Sequence, residues 1–184
     1  MYKRQLYYRY VAGFLGPDGG TADAAEFSLL GDEIAYVFPS DSGLTCVAIS
    51  VNLETFRWLR QDFEARYDER IAQHHGLAPR VAAAATEGRL AGCGPERSYV
   101  RVPCGAGWVL VGDAAMHQDP WTGLGIDMAG VHATFLAEAI IEWLQGSVDE
   151  RTALAGYHER RDAHGLAPYH DTVRFAADLR ALGS

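Results

Sequence analysis

The sequence predicts a mixed fold, an α+β lobe joined to part of an α/β lobe. Three observations carry this. The first half holds aromatic and β-branched segments separated by turn signals. A long amphipathic stretch over residues 53–75 follows them. The second half runs strand, glycine-bearing loop, helix, helix.

The elements follow in order. Residues 6–11, Leu-Tyr-Tyr-Arg-Tyr-Val, read as a strand. Residues 16–20 are a dense Gly/Pro/Asp turn. Residues 34–39 and 44–51 read as two strands joined by Ser40-Asp41-Ser42-Gly43, an antiparallel pair. Asn52 is placed to cap a helix whose apolar positions Phe56, Leu59, Phe63, Tyr67 and Ile71 recur at three- and four-residue steps. Gly76 is a stop for it. Residues 79–87 suggest a short Ala-rich helix and residues 88–97 a loop. Residues 98–102 and 108–111 read as strands, the second short and buried. A helix starts between Pro120 and Asp127 and runs to about Gln145. Ser147-x-x-Glu150 is a capping-box pattern opening a helix to about His164, and residues 168–182 form a last one. The division expected is residues 1–97 and 98–184.

Composition narrows the function. Sixteen basic and 24 acidic residues give a net charge of −8, which argues against nucleic acid as a non-specific partner. No apolar run reaches the roughly 18 residues of a membrane span, and no signal peptide is visible. A cytoplasmic location is the default expectation. Cys46, Cys93 and Cys104 have spacing that suits neither a disulfide framework nor a metal site. The adjacent His74 and His75 cannot share a helical face. No Gly-x-Ser-x-Gly elbow occurs, and no catalytic residue is assigned.

The informative segment is 108–129, WVLVGDAAMHQDPWTGLGIDMA. A short apolar strand ends at Gly112, placing Asp113 at the carboxyl end where open α/β sheets bind ligands. A carboxylate there accepts hydrogen bonds from sugar hydroxyls. Gly123 and Gly125 let backbone approach a ligand, and the start of the following helix favours an anion or electron-rich oxygen.

This segment resembles the second flavin motif of the para-hydroxybenzoate hydroxylase-like FAD enzymes, the flavoprotein monooxygenase superfamily. That motif reads Gly-Asp-Ala-Ala, a Pro seven residues after the Asp, and Gly-Leu/Ile five residues after the Pro. Pro120 and Gly125-Ile126 keep both spacings. His117, Asp119 and Thr122 fit a branch of the family with Gly-Asp-Ala-Gly-Tyr-His-Lys-Asp-Pro-Ile-Thr, and Tyr157-x-x-x-Arg161-Asp162 resembles its C-terminal part. Met116 stands where some relatives have His, Asp127 where Asn is usual, and His132 where an Asp is common.

The resemblance implies an antiparallel substrate-binding sheet with one long helix, followed by the last strand and C-terminal helices of a Rossmann-like FAD-binding domain. It implies FAD as cofactor and NAD(P)H as electron donor. Asp113, reached through Gly112, holds a ribityl hydroxyl. Pro120, Gly123 and Leu124 lie along the ring, and the N–H groups around Gly125 and Ile126 face its N1/O2 edge. Tyr8, Tyr10, Tyr36 and Phe38 line a site for a small organic substrate. The GxGxxG unit that opens the family occurs nowhere in the 184 residues. The expectation is therefore the later part of an FAD-dependent monooxygenase. A geranylgeranyl-reductase-like enzyme and a catalytically silent binding domain are the alternatives, with oligomeric state open.

Overall fold

A computed structural model describes residues 4–93 and 97–180. They form two compact units, one of residues 4–93 with 178–180, the other of residues 97–177. Residues 94–96 of the expected loop and 181–182 of the expected last helix lie outside the described residues.

The first unit is built on a five-stranded antiparallel sheet of order β2-β3-β4-β1-β5. Its strands are β1 (Gln5–Ala12), β2 (Glu26–Leu30), β3 (Glu33–Pro39), β4 (Leu44–Val51) and β5 (Ala85–Cys93). The expected pairing of residues 34–39 with 44–51 is the β3–β4 ladder, turned through Asp41–Gly43. The strand β2 carried no clear alternation signal. Its partner is fixed by the tight Gly31-Asp32 turn, where Gly31 has φ +60° and needs no Cβ there.

One face of the sheet carries the core. Tyr7, Val11, Ala35, Val37, Val47, Ile49 and Val51 meet Leu59, Tyr67, Ile71 and Leu77 from the helical side. The single helix expected over residues 53–75 is two, α1 (Leu53–Leu59) and α2 (Phe63–Ile71). Asn52 caps α1 as expected, its Oδ1 accepting from Thr55 N at 2.9 Å. Asp62 caps α2 the same way, and its extended backbone (φ −160°) ends one helix and starts the next. The buried Tyr67 hydroxyl donates to the Val47 carbonyl at 2.8 Å, fixing α2 to β4.

Residues 79–87 and 88–97 also differ from expectation. The helix α3 (Ala78–Ala83) is shorter, and β5 replaces the rest. This edge strand is mostly exposed, so backbone pairing with β1 forms it and no apolar alternation announces it.

The second unit has short ladders and two long helices. Strand β6 (Tyr99–Val100) pairs with β9 (Met116–His117), and β7 (Cys104–Gly105) with β8 (Trp108–Val109). The strand expected over 108–111 is thus shorter and not buried, Trp108 being 49% exposed. The helix α4 (Gly125–Leu144) packs on α5 (Glu150–Ala177). Two helices were expected after residue 147. One forms, and it passes through Pro168, because buried Gly165, Tyr169 and Thr172 pack on both sides of the break. Its cap is Asp149, which accepts from Thr152 N at 2.7 Å, in place of Ser147. No helix among the described residues is long and apolar enough to cross a membrane.

His132 of α4 is 1% exposed, 3.4 Å from His164 Nδ1 through its own Nε2. Burial, then the nearby His164 and the Arg161 guanidinium of α5, lower its pKa to about 4, with Asp162 opposing. The unfolded chain binds a proton at His132 below about 6.5 that the folded unit refuses until about 4. Stability is therefore lost as pH falls across that window, by roughly 3 kcal/mol at most from this residue. Thermal unfolding followed between pH 7 and 4 should show a shallower acid slope in His132→Met than in the starting protein. Equal slopes would remove His132 as the cause.

Candidate functional site

The segment 112–127 is held in shape from three sides. Gly112 and Asp113 form a 3-10 turn, and Gly112 takes φ +59°. A Cβ there would stand 3.3 Å from Ala129 Cβ, so glycine lets the turn close on α4. The Tyr99 hydroxyl donates to the Asp113 carbonyl at 2.9 Å. Arg101 donates to Ala114 O at 3.0 Å while its guanidinium lies 4.2 Å from the Tyr99 ring centre. Buried Arg161 spans the Arg101 carbonyl at 2.9 Å and the Ala115 carbonyl at 3.5 Å. The backbone around the carboxylate is thus fixed by side chains from elements on either side of it.

The Asp113 carboxylate itself points outward and is 65% exposed. Its Oδ2 meets His117 Nδ1 at 3.1 Å. Its Oδ1 lies 4.0 Å from where a Cβ on Gly125 would be, so the exposed carboxylate stands directly beside the start of α4. The loop between them is shaped by Asp119, whose carboxylate accepts from Trp121 N at 3.1 Å and caps the turn Pro120–Thr122. Gly123 follows in the left-handed region at φ +71°. Trp121 Nε1 donates to Thr172 O at 2.9 Å and pins the loop to α5.

The helix α4 begins without a side-chain cap: Leu124 stands at the N-cap position, and the first helical bond is Met128 N to Leu124 O. The N–H groups of Gly125, Ile126 and Asp127 precede it at the positive end of the helix dipole. Ile126 is 87% exposed there, an apolar side chain in the first turn of the helix. Asp127, also exposed, sits in the first turn where its charge suits the dipole. Gly112, Asp113, Pro120, Gly123, Leu124, Gly125 and Ile126 thus fall in one stretch running from the carboxylate to the start of α4. Sequence spacing missed Tyr99, Arg101 and Arg161. A buried arginine that satisfies carbonyls has no local pattern, and only the Tyr157-x-x-x-Arg161 resemblance touched it.

The four aromatics singled out in the first unit share the sheet face opposite the helices. Register explains it: Tyr8 and Tyr36 both pair with Ala48, and Tyr10 and Phe38 both pair with Cys46. Small residues on β4 therefore form a floor between aromatic walls on β1 and β3. Tyr36 stacks on Phe38 with centroids 5.8 Å apart, and Tyr8 meets Tyr10 edge-on at 6.1 Å. Phe27, which sequence reasoning did not include, joins both Tyr36 and Phe38 and is 58% exposed. Burial raises the Cys46 thiol pKa, so the floor of this groove stays uncharged. No group of three metal-ligating side chains occurs among the described residues.

A family model described as an FAD binding domain matches residues 32–170. No curated protein matches the chain. Among solved structures, PqsL of P. aeruginosa in complex with 2-aminobenzoylacetate is 22% identical with a TM-score of 0.78, covering 96% of this chain and 48% of its own. The myxobacterial chondrochloren halogenase CndH is also 22% identical, with a TM-score of 0.80 over 94% of this chain and 41% of its own. The flavin-dependent brominase Bmp2 is 16% identical, with a TM-score of 0.80 over 98% of this chain and 46% of its own. At these identities the likeness is one of fold, and the chain spans about half the length of these relatives or less.

Proposed function

The chain belongs to the FAD binding domain family within the para-hydroxybenzoate hydroxylase-like flavoproteins, and from that premise we propose that it is the ring-facing and substrate-facing part of an FAD-dependent monooxygenase. The observation that carries this reading is the exposed Asp113 carboxylate standing beside the uncapped start of α4, where Gly125 adds no side chain. An exposed carboxylate oxygen, glycine backbone and three helix-start N–H groups fit a polyhydroxylated chain attached to an electron-rich ring.

When bound, FAD supplies electron transfer from NAD(P)H to O2 for hydroxylation of the substrate. Asp113 accepts a hydrogen bond from a ribityl hydroxyl, and His117 holds its carboxylate by the other oxygen. Pro120, Gly123 and Leu124 give the ring a wall without bulky side chains. The N–H groups of Gly125, Ile126 and Asp127 stabilise negative charge at the ring edge. Tyr8, Tyr10, Tyr36 and Phe38, with Phe27, bind a small organic substrate by ring stacking and exclude water from it.

The test compares two ligands on the 184-residue chain. Contacts confined to ring and ribityl predict weak binding, with riboflavin and FAD held within about threefold of each other in a fluorescence titration. Tight, stoichiometric FAD with much weaker riboflavin would show a pyrophosphate site and overturn this assignment of contacts. In flavin-loaded protein, substrate-dependent O2 uptake with NAD(P)H supports the monooxygenase. Substrate reduction without O2 uptake overturns it in favour of a reductase.

A further inference from the structure

On the helical side of the first sheet lies a cavity of about 640 Å³ between α1, α2 and β5. Its walls include Tyr7, Phe56 and Phe63. It is separate from the aromatic groove described above. Tyr7 and Tyr8 are neighbours in one strand and point to opposite faces of the sheet.

Its shape has a local cause. The α1–α2 break leaves Phe56 and Phe63 on either side of the Tyr7 ring, with centroids at 5.9 and 5.3 Å. Gly92 of β5 lies under the same ring, where a Cβ would stand 2.5 Å from a ring carbon. Only glycine at that position lets Tyr7 lie flat and leave space beside the strand. The volume falls within the range of about 300–1,000 Å³ usual for small-molecule sites.

The polar groups of the lining are open to a ligand. Tyr7 is 6% exposed as a residue, and its hydroxyl, which is not among the buried polar atoms, makes no hydrogen bond to the described residues. Burial pushes its pKa up to about 12, so it is a neutral donor. Arg89 lines the cavity with no ion-pair partner among the described residues. Glu64, the acidic side chain of the lining, is already engaged by Arg9 and by Leu90 N. Arg60 stands over Phe56 at 5.8 Å and adds a second cation. The chemistry open to a ligand is therefore cationic and donating, beside three aromatic rings.

We propose that this cavity binds a planar aromatic anion, its ring packed against Phe56 and Phe63 and its carboxylate held by Arg89 and the Tyr7 hydroxyl. Ring faces supply area, and the charge-assisted bond to guanidinium supplies selectivity for the anion.

The probe is 2-naphthoate, compared with neutral 2-naphthamide by calorimetric titration of the 184-residue chain. The acid is expected to bind about tenfold more tightly than the amide. Arg89→Gln should abolish that difference and leave amide binding unchanged, Arg89→Lys should restore part of it, and Tyr7→Phe should weaken the acid. Arg89 is exposed on an edge strand, so these changes spare the core. Amide chemical shifts should move at residues 63–64 and 89–92. Three results overturn the proposal: no binding, acid binding indifferent to Arg89→Gln, or shifts confined to Tyr8, Tyr36 and Phe38.

Discussion

Asp113→Ala is expected to weaken flavin binding by about 10- to 100-fold, the loss of a charge-assisted hydrogen bond of roughly 1.5–3 kcal/mol. The side chain is 65% exposed and makes one side-chain contact, to His117, so its removal takes little from the fold. The Tyr99 and Arg101 bonds go to backbone carbonyls of the turn and persist in the variant. Asp113→Asn should lie between, since the amide oxygen still accepts while the charge is gone. Riboflavin titration, with thermal unfolding as a fold control, measures the effect. Flavin affinity unchanged in Asp113→Ala would remove Asp113 from the contact. Affinity lost together with the fold would mean the carboxylate supports the turn.

The backbone of the candidate site was more legible than the scaffold, for physical reasons. Asp113, Pro120 and Gly125 are placed by chain spacing and backbone conformation, and both are written in local order. Gly123 is left-handed and Gly112 packs on Ala129, and each required glycine for itself. The sheet face was legible where pairing partners were adjacent in sequence, as in β3 and β4. It failed for β5, whose partner β1 is some 80 residues away and whose side chains are exposed. It failed for Asp62 because the apolar stripe continued through the break, and one capping carboxylate decided the local outcome. It failed at Pro168 in the other direction, since the packing of Gly165 on Met116 is tertiary. Arg161 and Tyr99 act on carbonyls far away in sequence, beyond the reach of any local pattern.

Glu33→Ala is expected to be the most destabilising single change on the surface between α2 and the sheet. Glu33 is 3% exposed at the start of β3. Its Oε2 accepts from Arg70 at 2.8 Å and its Oε1 from His74 Nε2 at 3.0 Å. His74 Nδ1 lies 2.9 Å from Ser28 Oγ. A carboxylate on one nitrogen sets the tautomer: Nε2 donates to Glu33 and Nδ1 accepts from Ser28. The network therefore ties the end of α2 to edge strand β2, and β2 carries Phe27 to the aromatic groove. Removing the carboxylate strands a buried imidazole and the half-buried Arg70 charge, at a cost of about 3–5 kcal/mol. The melting temperature of this unit should fall by roughly 12 °C or more. The triple variant Glu33→Met, Arg70→Met and His74→Met should recover most of that loss, because apolar packing replaces the whole charged cluster. Calorimetry on the two variants separates the cases. Equal losses in both would mean the packing volume at these positions, and not the unpaired charge, sets the stability of the edge strand.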